Sequence, residues 1–326
     1  MPPFRPAVLL LLSFVLAGIG LGMAVVNGSV DIGIADIVHH LVANDGSTDD
    51  LIVDQLRLPR ALSAFAVGGL LALAGALMQV LLRNPLGDPY ILGVSGGASI
   101  AVLIAMLVAL PAAWYAPVAT VGALASTLLV FGLTHHGDDW RSEHLLLTGV
   151  VVAAGWSALI SFVLSISPAT HLPGMLFWLM GDLANATRPG LAWAVLTIGL
   201  LLALLRARDL NIATHGMLQA AALGVDTQRL RIELYFVSAV LTAAAVSIAG
   251  AIGFVGLITP HLVRTLGGTD HRVLLPAAVL LGGALLSVAD TLARTLISPM
   301  QLPVGVLTAL LGVPVFLFLL SRRGRR

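Results

Sequence analysis

The stretch from residue 60 to residue 82, RALSAFAVGGLLALAGALMQVLL, decides the fold of this chain. After Arg60 it carries no charged side chain, and its length matches the roughly 20 apolar residues, rising about 1.5 Å each, that a helix needs to cross a bilayer. Gly68, Ala72 and Ala76 recur at intervals of four, as do Ala278 and Gly282 further along the chain. Small residues on one face let neighbouring helices pack closely inside a membrane. The stretch therefore predicts a transmembrane helix packed against other helices.

The composition of the whole chain points the same way. Of 326 residues, 58% are hydrophobic and only 10% are charged, with a mean hydropathy of +1.01. Because a soluble protein of this size carries about a quarter charged residues, water-soluble enzymes and nucleic-acid-binding proteins are excluded. The apolar runs are continuous rather than alternating, which disfavours a transmembrane β-barrel. The chain is therefore predicted to be an all-α, polytopic membrane protein.

Two residue types are missing from the sequence, and each excludes a chemistry. The chain has no cysteine, so it can form no disulfide, thiol nucleophile or cysteine metal site. It also has no lysine, since all 17 basic residues are arginine. The phosphate-binding loop of ATPases needs a lysine to reach the β- and γ-phosphates. If this protein uses ATP, another chain must therefore hydrolyse it.

The hydrophobic runs predict about ten transmembrane helices within a single domain over residues 1–326. Residues 171–183 are predicted to form a further short helix outside the bilayer. The first run is longer than the apolar core of a usual signal peptide, and no convincing cleavage site follows it. The predicted spans are 7–26, 60–82, 91–110, 114–134, 145–167, 190–206, 231–252, 254–268, 273–296 and 304–320.

Arginine positions orient these spans, because cytoplasmic loops are enriched in basic residues. With both termini inside, thirteen of the 17 arginines lie on the cytoplasmic side. The segment 27–59 is then external, and 207–230 is the longest cytoplasmic polar segment. The four external arginines are Arg57, Arg60, Arg188 and Arg294.

Two stretches within apolar surroundings break the helical pattern, at residues 84–89 and 253–260, where glycine and proline cluster. Irregular backbone at membrane depth survives only where it is buried in protein or lines a cavity. Both stretches are therefore candidates for a pathway or a gate.

Three patterns suggest chemistry, and each has a simpler explanation. Residues 93–97 match the G-x-S-x-G pattern of serine hydrolases, but a glycine-rich helix start explains them as well. The pairs His39-His40 and His135-His136 could ligate a metal, although adjacent histidines rarely close a site and both pairs lie in polar loops. We favour the simpler explanation in each case.

Charged residues near the predicted outer surface are more informative. Asp290 and Arg294 lie four residues apart on one helix face, so Asp290 is either a proton- or ion-binding acid or, as we favour, half of an internal ion pair. Arg57 and Arg60 either reach the lipid headgroups or attract an acidic partner outside the membrane. On the inner side, residues 217–223 predict a short helix ended by Gly224, which is either a docking element or an inert linker.

Nine short patterns occur in order along nearly the whole chain. They are LRLPR (56–60), GALMQ (75–79), RNPLGDP (83–89), LGVSGGA (92–98), FWLMG (177–181), ALGV (222–225), GFVGLITPH (253–261), TDHR (269–272) and LPVG (302–305). In this order they resemble the permease subunits of bacterial ABC importers for iron–siderophore complexes, haem and vitamin B12.

The resemblance implies a homodimer of ten-helix chains in the inner membrane. Two ATP-hydrolysing subunits, which would hold ATP and Mg²⁺, would dock inside, and a periplasmic binding protein would dock outside. On this basis the chain is no enzyme and binds no cofactor or nucleic acid itself. The resemblance assigns binding-protein docking to Arg57, Arg60 and Arg294, and it assigns ATPase coupling to Met217, Leu218, Ala221, Ala222, Leu223 and Gly224. It assigns the cytoplasmic gate to Asn84, Leu86, Arg141, Ser142 and Glu143.

The resemblance leaves the substrate open. An iron chelate, either a ferric siderophore or haem, is the first expectation, and cobalamin is the alternative. Met106, Met175, Met180 and Phe177 are either contacts for a bulky ligand or ordinary packing residues. An ion-coupled secondary transporter that uses Asp290 is the alternative from another class of protein.

Overall fold

The computed structural model describes residues 5–28, 48–134, 142–186 and 188–323, and these ranges contain helices and loops but no β-strand. We number the helices in chain order. They are α1 (Pro6–Val26), α2 (Thr48–Ile52), α3 (Leu58–Leu81), α4 (Val94–Leu107), α5 (Tyr115–Thr134), α6 (Ser142–Ile166), α7 (Leu172–Leu179), α8 (Gly190–Leu205), α9 (Ala207–Ala213), α10 (Met217–Ala222), α11 (Thr227–Ala249), α12 (Val255–Thr265), α13 (His271–Thr295) and α14 (Val304–Arg323).

Each of the ten predicted spans coincides with one of these helices, and the predicted external helix 171–183 coincides with α7. Six helices in the described residues are long and apolar enough to cross a membrane, or seven if α8 and α9, which meet at a bend of 63°, count as one span. The number ten is thus approximate, because α4 and α12 contain only 14 and 11 residues. The chain is a multi-pass membrane protein.

Helix α3, which contains the opening stretch, lies at the centre of the bundle. Almost all of its residues are buried, and it packs against α1, α11, α12 and α13. The small residues allow close approach, as predicted, and the structure shows that the two faces meet each other, since a Cβ on Gly68 would collide with the backbone of Gly282. Gly75 approaches Gly256 of α12 equally closely. These close backbone contacts supply the packing that holds helices together in lipid.

Irregular backbone interrupts the helices at two places, and these meet inside the bundle. The first, predicted at 84–89, leads into a short 3₁₀ turn at Pro89–Leu92, followed by Gly93 at φ = 70°. The second was predicted at 253–260 but lies at 250–254, beginning at Gly250 with φ = 66°, because residues 255–260 already belong to α12, which contains Pro260. The hydroxyl of Tyr90 accepts a hydrogen bond of 3.0 Å from the backbone N–H of Ile252. One irregular stretch thus supplies a hydrogen-bond partner for the backbone of the other. Irregular backbone that is buried within a membrane protein needs such partners.

The G-x-S-x-G pattern is a helix start, which is the explanation favoured above. Gly93 adopts a left-handed conformation that favours glycine, and α4 begins at the next residue. The carbonyl of Gly93 accepts a 2.8 Å hydrogen bond from Ser126, whose Oγ also accepts one from Trp156 Nε1. Within the described part of the chain, Ser95 makes no hydrogen bond to a histidine, so a hydrolase mechanism has no base there.

Candidate functional site

At the predicted outer end of the bundle, two arginines share one buried carboxylate. Asp290 on α13 is 0% exposed, and its Oδ1 lies 2.8 Å from Nη2 of Arg60 on α3. Nε of Arg60 is 3.0 Å from Oδ2 of Asp290, which makes this contact bidentate. Arg294, one turn further along α13, places its Nε 3.3 Å from the same Oδ2. A buried carboxylate needs such partners to offset its desolvation.

Arginines also bind the carboxyl end of α1. Nη1 of Arg57 donates to the carbonyl oxygens of Val25 and Val26, at 3.1 and 2.6 Å. Nη2 of Arg294 donates to the carbonyl of Ala24 at 3.1 Å. The last carbonyls of a helix have no partner within the helix, and the negative end of the helix dipole attracts cations. These two arginines therefore cap α1 and tie it to α3 and α13.

The three arginines assigned to binding-protein docking thus differ in accessibility. Arg57 and Arg294 are only 3% and 5% exposed, whereas the side chain of Arg60 is 12% exposed. Nη1 of Arg60 also donates to Oε1 of Gln301 at the surface, at 3.2 Å. Docking through these residues stays a prediction, and Arg60 is the one whose guanidinium reaches the surface.

The sequence indicated only part of this cluster. The pairing of Asp290 with Arg294 follows from their spacing of four residues and was the interpretation we favoured. The stronger pairing, with Arg60, joins residues 230 positions apart in the chain. No local pattern signals a contact over that separation.

A cavity of about 1190 Å³ opens where several helix ends meet on the predicted outer side. Its wall combines aromatic and apolar side chains, including Met106, Phe177 and Trp178, with the polar side chains of His171 and Arg188. It lies between the end of α4, the start of α5, helix α7 and the start of α8. Pockets of this composition, apolar with a few polar groups, are typical of small-molecule sites.

The four residues considered as ligand contacts separate into two groups. Met106 and Phe177 line the outer cavity. Met175 is fully buried in a small cluster with Ile100, Leu103 and Val163, so it is a packing residue. Met180 is not among the residues that line the cavity.

On the inner side, the segment 207–230 forms α9 and α10 and then leads into α11. Leu218 of α10 is 89% exposed and Leu223 is exposed as well, while Met217 is buried against the bundle. Ala221, Ala222 and Gly224 are also exposed. A short helix with exposed apolar side chains on the predicted inner side has the form of a docking element.

Ion pairs and caps fix this segment to the bundle. Arg206 places Nη2 2.7 Å from Oε1 of Glu233 on α11, and Arg229 places Nε 2.9 Å from the same oxygen. Asp226 caps α11 by accepting a 3.0 Å hydrogen bond from the backbone N–H of Arg229. As predicted, Gly224 ends the short helix, at φ = 82°.

The gate residues lie at two loops, only one of which is fully described. The side chain of Asn84 accepts a 2.9 Å hydrogen bond from the backbone N–H of Leu86, which forms a tight turn. Leu86 and Glu143 are exposed, and Ser142 begins α6. Arg141 lies outside the described residues, as do both histidine pairs and residues 29–47 of the external segment. The gate role of these residues stays a prediction.

Next to this loop, Asp88 caps the 3₁₀ turn by accepting a 2.8 Å hydrogen bond from the backbone N–H of Tyr90. Burial raises the pKa of the Asp88 carboxyl to about 6, and the hydrogen bond from Tyr90 only partly opposes this rise. Elsewhere in the described ranges, no group of three or more potential metal ligands comes together.

The sequence matches one family model over almost its whole length. Residues 9–322 match the model of the FecCD transport family. The chain belongs to the FecCD transport family. Among curated relatives, the haemin transport system permease protein HmuU of Yersinia pestis is 40% identical over 311 residues, which are 91% of each chain. The cobalamin import system permease protein BtuC of Halobacterium salinarum is 42% identical over 279 residues, 85% of this chain and 75% of that one.

A solved structure extends the similarity to the fold of this FecCD-family chain. It is described as an inward-facing conformation of a metal-chelate type ABC transporter, and it superposes with a TM-score of 0.83. The two chains are 30% identical, and the match covers 97% of this chain and 99% of the other. The helical architecture described above is therefore that of an ABC transporter permease.

Proposed function

We propose that this FecCD-family chain is the membrane-spanning subunit of an importer that moves an iron chelate, either a ferric siderophore or haem, across the inner membrane. The similarity to HmuU over 91% of both chains is the observation that carries the proposal. The outer cavity supports it, because its volume of about 1190 Å³ exceeds the 300–1,000 Å³ of ordinary small-molecule pockets. Cobalamin is the second candidate, on the strength of the similarity to BtuC.

The chain would work with partners that supply energy and substrate. It has no lysine with which to build a phosphate-binding loop, so we place ATP and Mg²⁺ on two separate ATPase subunits. The exposed apolar surface of α10, with Leu218 at its centre, is the surface we assign to ATPase docking. A second copy of the chain would complete the pathway, and a periplasmic binding protein would deliver the substrate to the outer end near Arg60. Both termini would lie in the cytoplasm, in agreement with the arginine distribution.

The environment of Asp290 argues against the ion-coupled alternative. A proton- or ion-carrying carboxylate must be able to exchange its partner during the cycle. Here the carboxylate already makes ion pairs with guanidinium groups from two helices, Arg60 on α3 and Arg294 on α13. We therefore assign Asp290 a structural role and energy coupling to ATP.

The test is ATP hydrolysis in liposomes that contain this chain, its ATPase and its binding protein. The binding protein is loaded in turn with haem, a ferric siderophore or cobalamin. We expect hydrolysis to be stimulated by one iron chelate. Stimulation by cobalamin alone would replace the substrate proposal, and uptake that follows a proton gradient without any ATPase would overturn the proposed function. A variant that lacks residues 217–224 should lose both ATPase binding and uptake.

A further inference from the structure

A polar contact links the cytoplasmic segment to the first residues of α13. Nδ2 of Asn211, on α9, donates a 2.8 Å hydrogen bond to Oδ1 of Asp270. Oδ1 of Asn211 accepts a 2.9 Å hydrogen bond from the backbone N–H of His271 and lies 2.6 Å from Nδ1 of its ring. One amide thus uses both of its ends on the residues that begin α13. Leu210 and Ala213, on either side of Asn211, are fully buried.

The chemistry of this contact defines each partner. Because the backbone N–H of His271 can only donate, the atom of Asn211 that faces it must be the carbonyl oxygen. The ring Nδ1 of His271 then carries the proton and donates to the same oxygen. Asp270 accepts from Asn211 while it also accepts from the backbone N–H of Arg272 at 2.9 Å, which caps α13. Asn211 therefore uses Nδ2 as the donor to Asp270 and Oδ1 as the acceptor from His271.

Helix α13 extends from this link to the outer cluster. It runs without a break over 25 residues, which is about 37 Å at 1.5 Å per residue. Its outer half carries Asp290, whose carboxylate holds Arg60 of α3. Between these ends it packs closely on α3, where Gly282 faces Gly68. The two polar contacts are thus joined by one continuous helix, which contains Pro276 near its beginning.

We propose that Asn211 is a positioning residue that transmits movement of the cytoplasmic segment to α13, and through α13 to the Arg60–Asp290 pair at the outer end. The proposal rests on the proposed function, because the movement would be supplied by ATPase subunits docked on α10. Closure of those subunits displaces α9 and α10 together, and the Asn211 amide carries the displacement to Asp270 and His271. Asn211 contacts neither substrate nor nucleotide.

The test exchanges the two polar partners. Asn211→Asp keeps an acceptor for His271 but places a carboxylate against that of Asp270, so the link breaks by repulsion. In the parent, Oδ1 of Asp270 accepts from both Asn211 and the backbone N–H of Arg272. Asp270→Asn added to Asn211→Asp restores the link when the new amide turns its nitrogen to the new carboxylate and its oxygen to the backbone N–H of Arg272. We expect uptake per ATP hydrolysed, measured with loaded binding protein in liposomes, to fall at least tenfold in Asn211→Asp. We expect it to recover to within about threefold of the parent in the double variant.

Thr214→Ala is the matched control. Thr214 directly follows α9. Its hydroxyl donates to the carbonyl of Asn211 at 2.7 Å and lies 3.4 Å from Nδ1 of His215, so both contacts are within this segment. Its loss should leave uptake per ATP at the parent value. Thermal unfolding of each purified complex shows whether a variant is folded. If Asn211→Asp does not assemble, the double variant and Asn211→Ser are compared instead, and a parent-like ratio for Asn211→Ser overturns the proposal.

The outcomes separate this proposal from the proposed function. If the parent chain shows no ATP hydrolysis stimulated by loaded binding protein, the proposed function itself fails. If the parent is stimulated and Asn211→Asp retains the parent ratio of uptake to ATP, Asn211 transmits nothing and only this proposal is overturned. If uptake per ATP hydrolysed falls in Asn211→Asp and does not recover in the double variant, the proposed pairing of Asn211 with Asp270 is also overturned.

Discussion

Asp290 shows how a single buried charge depends on residues far away in the chain. The Asp290→Asn substitution removes the negative charge that Arg60 and Arg294 share, while the volume of the side chain hardly changes. Breaking a buried ion pair from one side typically costs about 3–5 kcal/mol. We expect a clearly lower thermal unfolding temperature in detergent and, because the outer end loosens, reduced uptake as well.

The control for Asp290→Asn is Asp209→Asn. Asp209 pairs with Arg206 at 3.4 Å, but both side chains are partly exposed. Such pairs contribute about 0–1 kcal/mol, so its unfolding temperature should stay close to that of the parent. If Asp290→Asn abolished uptake with unchanged stability, a proton- or ion-carrying role for Asp290 would regain support.

A second prediction for a single residue concerns Asp88 and the pH dependence of the protein's stability. Its folded-state pKa, about 6, lies above the ordinary value of 3.8, so ionisation favours the unfolded chain. Its contribution is fully present below about pH 4 and is lost as the pH rises through 6. Unfolding temperatures should therefore decrease over this range more in the parent than in Asp88→Asn, which keeps an oxygen to cap Tyr90. Parallel pH profiles for the two proteins would contradict this prediction.

At the scale of the helices, packing depends on glycines that look alike in the sequence. A Cβ on Gly75 would collide with the backbone of Gly256, whereas a Cβ on Gly18 of α1 would meet no atom within 4 Å. Gly75→Ala should therefore separate α3 from α12 and lower the unfolding temperature by several degrees or prevent assembly. Gly18→Ala should be neutral or slightly stabilising, because alanine favours helix by about 1 kcal/mol. Equal stabilities of the two variants would refute this assignment of the packing interface.

The lengths of the helices were less predictable than their existence. Each predicted span coincides with a helix, but the prediction extended α4 to 91–110 and α12 to 254–268, beyond their actual ends. The residues beyond the helix ends are mostly apolar, whether buried as Leu92 is or exposed as Val108 and Leu110 are, so hydropathy does not reveal that they lie outside the helix. The irregular backbone that precedes each helix makes tertiary contacts, such as the hydrogen bond from the backbone N–H of Ile252 to the hydroxyl of Tyr90. Such a contact exists only after the helices have packed.

At the scale of the whole molecule, the outer surface makes a prediction about docking. Replacing Arg57 and Arg60 together by glutamate should weaken binding of the periplasmic binding protein, and more so at low salt, where charges are less screened. The affinity of the binding protein for the surface-immobilised complex is measured at two or three ionic strengths. Asp290→Asn is the control, because it disturbs the same cluster without reversing the charge of Arg60, whose guanidinium reaches the surface. Docking that is independent of salt in both the parent and the double variant would count against electrostatic docking.

The sequence by itself determined that this chain is a helical membrane protein and located its apolar helices, the short helix that ends at Gly224 and the pairing of Asp290 with Arg294. Each of these follows from local physics, namely hydropathy over about 20 residues or spacing along one helix. Only the tertiary structure decided which charges meet across the bundle: Arg60 with Asp290, Arg57 with the end of α1, and Asn211 with the start of α13. These contacts join residues 230, 31 and 59 positions apart. A polar group buried among apolar helices must find a partner, but which partner it finds depends on how the helices pack.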